Sequence, residues 1–220
     1  MSVSLRPIYP EEKNVRFAGA ITDLAALSSD EVAIFRDQLQ KIMSEVNPSV
    51  AKIISANAEV LINLIRRVKT ETKSSFKGAT ARGKELTIEL CRPSWFLRNG
   101  TPITTWLYTA TAGTSWFISG AGNAPVALPE DEGFAFLAWA DPIDTPKAEA
   151  IQLEKGGDLY VPESLPWDLT KEYPVIPLKE PWVILPEDSY RIQVRYNISG
   201  DDKLQPIAFR VVKAEAIMSI

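Results

Sequence analysis

Apolar residues recur at spacings of three and four in the first third of the chain and then switch to alternation, so helices are expected first and strands afterwards. Val32, Phe35, Leu39, Ile42 and Val46 form one stripe, while Arg36, Asp37, Gln40, Lys41 and Glu45 lie away from it. Ser28-Ser29-Asp30-Glu31 has the form of a capping box, which sets the start of this helix. The stripe is narrow, as in a helical hairpin or a coiled-coil seam. Asn47-Pro48 ends the helix and opens the next, with Asn47 as cap and Pro48 in the first turn, where its missing N–H costs nothing. The spacing predicts a second helix over 48–72, roughly 35 Å long at 1.5 Å per residue. Val50, Ile53, Ile54, Val60, Leu61, Leu64, Ile65 and Val68 form its apolar side. Asn57 interrupts that side and is expected to be buried and bonded to the backbone. Ile62, off the main face, implies contact from a second direction.

After a polar, glycine-containing link over 73–83, Leu86, Ile88 and Leu90 alternate with Thr87, Glu89 and Cys91. Further strand patterns cover 103–109, 114–119, 133–140, 148–153, 182–185, 190–198 and 206–216. The last two flank Ser199-Gly-Asp-Asp-Lys203, a polar loop of hairpin length that predicts an antiparallel pair. Short strands punctuated by Gly and Pro, without helical pattern between them, argue for a sandwich or barrel, a jelly roll being one candidate. The expected fold class is α+β: an extended arm over 1–27, a helical hairpin over 28–75 and an antiparallel β-sandwich over 76–220. Pro162, Pro166, Pro174, Pro177 and Pro181 predict a long surface excursion between 158 and 186, the kind of segment that carries partner contacts.

Composition narrows the chemistry. The 220 residues are 45% hydrophobic, enough for a core without metals or disulfides, and include one cysteine and no histidine. Cys91 lies in the first alternating run and is expected to be a buried strand residue; a reducing compartment fits. Without histidine, Ser-His-Asp and Cys-His nucleophiles and His-based metal sites are excluded within one chain. No cofactor, metal or catalytic set is expected. Asp141 with Asp144, or Glu130 with Glu132, has the composition of a glycosidase pair, but Asp141-Pro-Ile-Asp-Thr-Pro146 reads better as turn chemistry. Gly120-Ala-Gly122-Asn123 is too sparse for a phosphate loop. No apolar run reaches the roughly 18 residues of a membrane span, and the first residues lack the pattern of a secretory signal. The sequons at Asn99 and Asn197 are read as turn and strand-end residues.

Charge is segregated. Seven lysines and arginines and one carboxylate lie in 66–84, whereas 130–188 holds fourteen carboxylates and four lysines, in a chain of net charge −4. A basic helix end set against its own dipole explains the first run; docking on the acidic region of another copy is the functional alternative, and nucleic acid is the less favoured partner. Adjacent aromatics such as Trp95-Phe96 and Trp116-Phe117 cannot both face one side of a strand, so one member of each pair should point outward or mark a bulge. Together these features point to a non-enzymatic structural subunit of a symmetric assembly, a virus or phage virion component such as a capsid or cement protein, found in the virion or host cytoplasm. Its partners would be further copies or other subunits of the assembly, and its contacts Val60, Leu64, Val68, Arg66, Arg67, Trp95 and Trp116. A carbohydrate- or receptor-binding module using the same tryptophans ranks second, and a carboxylate-dependent glycosidase third.

Overall fold

The computed structural model describes residues 15–16, 29–71, 84–168 and 174–215. Most of the expected arm, the capping-box side chains of 28–31 and the link over 73–83 lie outside the described residues. The helices are α1 (Ser29–Glu45), α2 (Pro48–Ala56) and α3 (Ala58–Glu71). The strands are β1 (Val15–Arg16), β2 (Lys84–Leu90), β3 (Leu97–Arg98), β4 (Thr101–Pro102), β5 (Tyr108–Ala110), β6 (Gly113–Ile118), β7 (Val126–Ala127) and β8 (Glu132–Ala140). They continue as β9 (Ala148–Lys155), β10 (Asp158–Leu159), β11 (Glu163–Ser164), β12 (Val175–Ile184), β13 (Ser189–Tyr196), β14 (Gly200–Asp202) and β15 (Gln205–Glu215).

The α1 stripe is buried as spaced: Phe35, Leu39, Ile42 and Val46 are all in the core. Asn47 caps α2, its side chain accepting from Ser49 N at 2.9 Å. The expected single second helix is broken. At Asn57 the side-chain amide donates to Ile53 O at 2.9 Å, competing with the helical ladder for that carbonyl, and α2 and α3 meet at a bend of 61°. Ile62 is fully buried, so α3 is contacted on more than its main stripe. Among the described residues no single helix is long and apolar enough to cross a membrane.

The longer strands form two antiparallel sheets, and β3 with β4 and β5 with β14 make two short separate pairs. One sheet runs in the order β1-β2-β15-β8-β12; the other runs β10-β9-β13-β6, with β11 also on β9 and β7 on β13. Following the chain through the longer strands, β2 lies in the first sheet, β6 in the second, β8 in the first, β9 with β10 and β11 in the second, β12 in the first, β13 in the second and β15 in the first. This alternation, with strand orders β2-β15-β8-β12 and β6-β13-β9-β10, is that of a jelly roll. It corrects the expected terminal hairpin: β13 and β15 belong to different sheets. The residues between them cross the sandwich, with β14 pairing instead to β5. Tyr190, Ile192 and Val194 of β13 and Ala208 of β15 meet in one core from opposite layers, an arrangement that a hairpin would prevent.

β8 fixes the layering. Its residues from Gly133 to Ala140 are all buried. Phe134, Phe136 and Trp139 face the second sheet and pack with its Phe117 and Tyr190, together with Trp182 of neighbouring β12 and Phe96 of the connection after β2. Ala135, Leu137, Ala138 and Ala140 face the helices. The register of both neighbours shifts at Leu137, so Leu137 and Ala138 share a face although adjacent, as a bulge allows. Small residues on the helix side let α3 approach: a Cβ on Gly133 would lie 2.7 Å from Val68 Cγ2 and 2.8 Å from Leu64 Cδ1. The proline-rich stretch also differs from expectation, because Pro177 and Pro181 lie in β12, a strand of ten residues. They are tolerated because β12 is the last strand of its sheet and is irregular between Pro177 and Trp182.

Leu64→Ala is expected to cost about 2–5 kcal/mol and Gly133→Ala about 1–3 kcal/mol. Because the space left by Leu64 accommodates the new methyl, the double variant should lose less than the sum, as urea denaturation of the four proteins would show.

Candidate interaction surface

The residues expected to make contacts fall into three environments. Leu64 and Val68 are buried in the chain's own core against β8 and β15, so that face of α3 is already occupied by the first sheet, while Val60 is half-buried. The helical seam thus closes within the chain, because β8 presents small side chains to it. Arg66 is half-buried, with Nη1 donating to Asn63 Oδ1 at 3.0 Å, and Arg67 is exposed.

Trp95 and Trp116 are both half-buried, while their neighbours Phe96 and Phe117 are buried; in β6 strand alternation divides Trp116 from Phe117, whereas Trp95 ends a 3-10 turn over Pro93–Trp95 and the chain turns Phe96 inward there. The register of β6 on β13 shifts opposite Phe117. Both indoles carry cations. The Arg191 guanidinium lies 3.8 Å from the Trp116 ring centroid and also donates to Glu154 Oε2 at 2.8 Å and Asn123 O at 2.6 Å. Arg210, paired with Glu132, lies 4.8 Å from the Trp95 centroid, with Arg92 at 5.7 Å. One face of Trp116 is therefore covered by a cation that is itself anchored, which removes that face as a stacking platform for a sugar ring. The structure places the two tryptophans beside different sheets, with Trp95 beside β15 and Trp116 on β6.

An exposed apolar strip missed by the sequence reading lies elsewhere. Gly156 and Gly157 (φ +60° and +90°) make the two-residue turn between β9 and β10, where two consecutive positive φ values favour glycine. The chain emerges from it through Leu159, Tyr160 and Val161, which are 61%, 44% and 81% exposed. The strip is held in place. Tyr160 N donates to Leu153 O at 2.9 Å, and Gln152 Nε2 donates to Tyr160 O at 2.7 Å. Tyr160 to Glu163 form one wall of a groove of about 480 Å³. Lys179 to Val183 of β12 form the other wall, and Leu153 and Trp182 also line it. Glu163 Oε2 accepts from Lys179 N at 3.1 Å and links the walls. The groove thus runs where the outermost segments of the two sheets lie side by side. A Gly-Gly turn followed by three apolar residues before a proline was the available signal, but exposure cannot be read from a sequence pattern.

The 141–146 stretch is a turn as read, with Ile143 N donating to Asp141 Oδ1. Glu132 is paired with Arg210, and Asp144 is exposed while Asp141 is buried. Asp141 instead meets Asp202, sixty-one positions along the chain. Burial, then the hydrogen bond that the protonated group gives to the Asp202 side chain, then the Asp202 charge push the Asp141 carboxyl up to about 8. Cys91 is fully buried, and desolvation raises its thiol well above the ordinary range, which suits a packed residue and not a nucleophile. Among the described residues no group of three or more His, Cys, Asp or Glu is placed to hold a metal ion.

The fold places the chain among jelly-roll β-sandwiches with helices on one sheet. No family model matches the sequence, and no curated protein matches it. Among solved structures, the crystal structure of dimeric latent PorU from Porphyromonas gingivalis is similar over 61% of this chain and 13% of that one, at 14% identity and a TM-score of 0.25. A superposition that loose carries no argument about fold or function.

Arg191→Ala should destabilise the protein by about 2–3 kcal/mol, because it leaves the largely buried Glu154 carboxylate without its cation. It should also raise acrylamide quenching of tryptophan fluorescence as Trp116 loses its cover.

Proposed function

We propose that the chain is a non-enzymatic structural subunit of a symmetric assembly, with a virion component such as a capsid or cement protein as the favoured instance. The observation that carries this reading is the rigid apolar strip Leu159-Tyr160-Val161 at the edge of a jelly roll. Its backbone is tied to β9, so burying it against a partner costs little ordering entropy, and the exposed area contributes directly to association. The jelly roll serves capsid and lectin proteins alike, so the fold alone does not choose between them. The cation over Trp116 weighs against the glycan reading, while the tethered strip favours a protein contact. The flanking carboxylates, Glu163 and Glu180, would set orientation against a basic surface of the neighbouring subunit.

The mass distribution of the purified protein by light scattering, across protein concentration and salt, tests this. Discrete oligomers or larger particles are expected. Val161→Asp should weaken association by about tenfold or more, since burying one valine contributes about 1.5–3 kcal/mol and the charge adds repulsion. Salt at 0.5 M should weaken it further where charge sets the register. A strict monomer at high concentration, unchanged by Val161→Asp, would sink the proposal.

A further inference from the structure

At the end of the sandwich opposite the Gly156-Gly157 turn, four parts of the chain converge: 91–112, 141–147, Pro174 and 197–204. β5 of the first pairs with β14 of the last, and Asp141 N donates to Pro174 O at 3.2 Å. Between them lie two carboxyl groups. Asp141, just past β8, is 0% exposed, and Asp202, in β14, is 1% exposed. Each spends one oxygen on the backbone of the 141–147 connection: Ile143 N donates to Asp141 Oδ1 at 3.3 Å and Lys147 N to Asp202 Oδ1 at 3.0 Å. Lys203 N–H also serves Asp141. The remaining oxygens, Oδ2 of both residues, are buried and accept from no N–H or hydroxyl, and the two carboxyl groups lie close enough to act on each other. Carboxylates only accept, so a hydrogen bond between two of them needs a proton held between their oxygens.

The charged and titratable neighbours come from each surrounding element. Tyr196 of β13 is buried, and its hydroxyl feels both carboxyls, Tyr108 of β5 and Arg98 of β3. Arg98 is stacked 3.9 Å from the Tyr108 ring centroid and 4.6 Å from that of Phe117, with Nε donating to Phe117 O. The Lys147 ammonium donates to Thr145 O.

We propose that Asp141 and Asp202 share one proton and form a pH-labile clasp that holds the connections at this end of the sandwich together. With the proton in place, the pair ties β14 to the 141–147 connection. Without it, two buried carboxylates oppose each other, and the clasp parts to admit water beside Tyr196 and Leu204. The sign follows from the direction of the shift. An unfolded aspartate titrates near 3.9 and folded Asp141 near 8, so between these values the folded chain holds a proton that the unfolded chain has released. The clasp's contribution is full below about pH 4 and is lost as pH rises toward 8. This is the reverse of a carboxylate stabilised by a cation.

Asp141→Asn supplies a permanent N–H donor to Asp202 and keeps an oxygen for Ile143 N. Denaturant unfolding from pH 5 to 8.5 should show the wild-type unfolding constant rising about tenfold per pH unit relative to the variant, as release of one proton requires. Asp202→Asn should abolish the same slope, and it keeps the test open if the first variant does not fold. In the wild type, amide protection factors over 141–147 and 200–204, after division by the intrinsic base-catalysed rate, should fall between pH 5 and pH 8.5, while those of Asp141→Asn should not. Parallel pH profiles for wild type and both variants would overturn the proposal. So would added Ca²⁺ at pH 8.5 that restored the wild type and left Asp141→Asn unmoved, since the site would then hold a cation and not a proton.

Discussion

The structure depends on the burial of β8 on both faces. A strand in that position must satisfy its backbone through neighbours on both edges, and β15 and β12 supply them. Its side chains must serve two cores of different depth. Alanines and Gly133 on one face bring α3 close, while Phe134, Phe136 and Trp139 on the other fill the wider space between the sheets. The bulge at Leu137 reconciles the two patterns. Without it, the alternation set by Phe134 and Phe136 would turn Trp139 toward the helices, where there is room only for small residues.

From this middle layer the remaining architecture follows. Because helices cover one face of the first sheet and the second sheet covers the other, successive long strands step from sheet to sheet, and the connections gather at the ends of the sandwich. One edge, where β12 lies beside β10 and β11, is left open and lined with apolar side chains. One end, where β14 crosses from the second sheet to the first, is tied by a carboxyl pair. The proposed contact face and the proposed clasp thus occupy separate parts of the molecule.

The arginines around the tryptophans illustrate how a polar sheet face is finished. Arg191 covers an indole, neutralises Glu154 and bonds a backbone carbonyl at once, so one side chain serves three groups. Arg210 does similar work between Glu132 and Trp95.

Local spacing was sufficient for most of the elements, though not for the break at Asn57 or for the proline-containing β12. The stripe from Phe35 to Val46, the Asn47 cap, the alternation that sends Ile88 and Leu90 one way and Cys91 the other, and the division of Trp116 from Phe117 all follow from backbone periodicity, which adjacent residues impose on one another. The α+β order and the sandwich followed from the change of period. What the period could not supply was pairing. Ser199–Lys203 has hairpin chemistry, yet the chain crosses between sheets there, because the large inward residues of β13 and the two-sided burial of β15 require different layers. The helical seam at Leu64 and Val68 reads identically whether it faces another copy or the chain's own sheet, and only the small residues of β8, far along the chain, decide for the sheet. Asp141 was legible as a turn residue, whereas its partner Asp202 was set by the meeting of distant connections. Periodicity is a property of neighbours in sequence, while partners across layers are chosen by the packing of the whole.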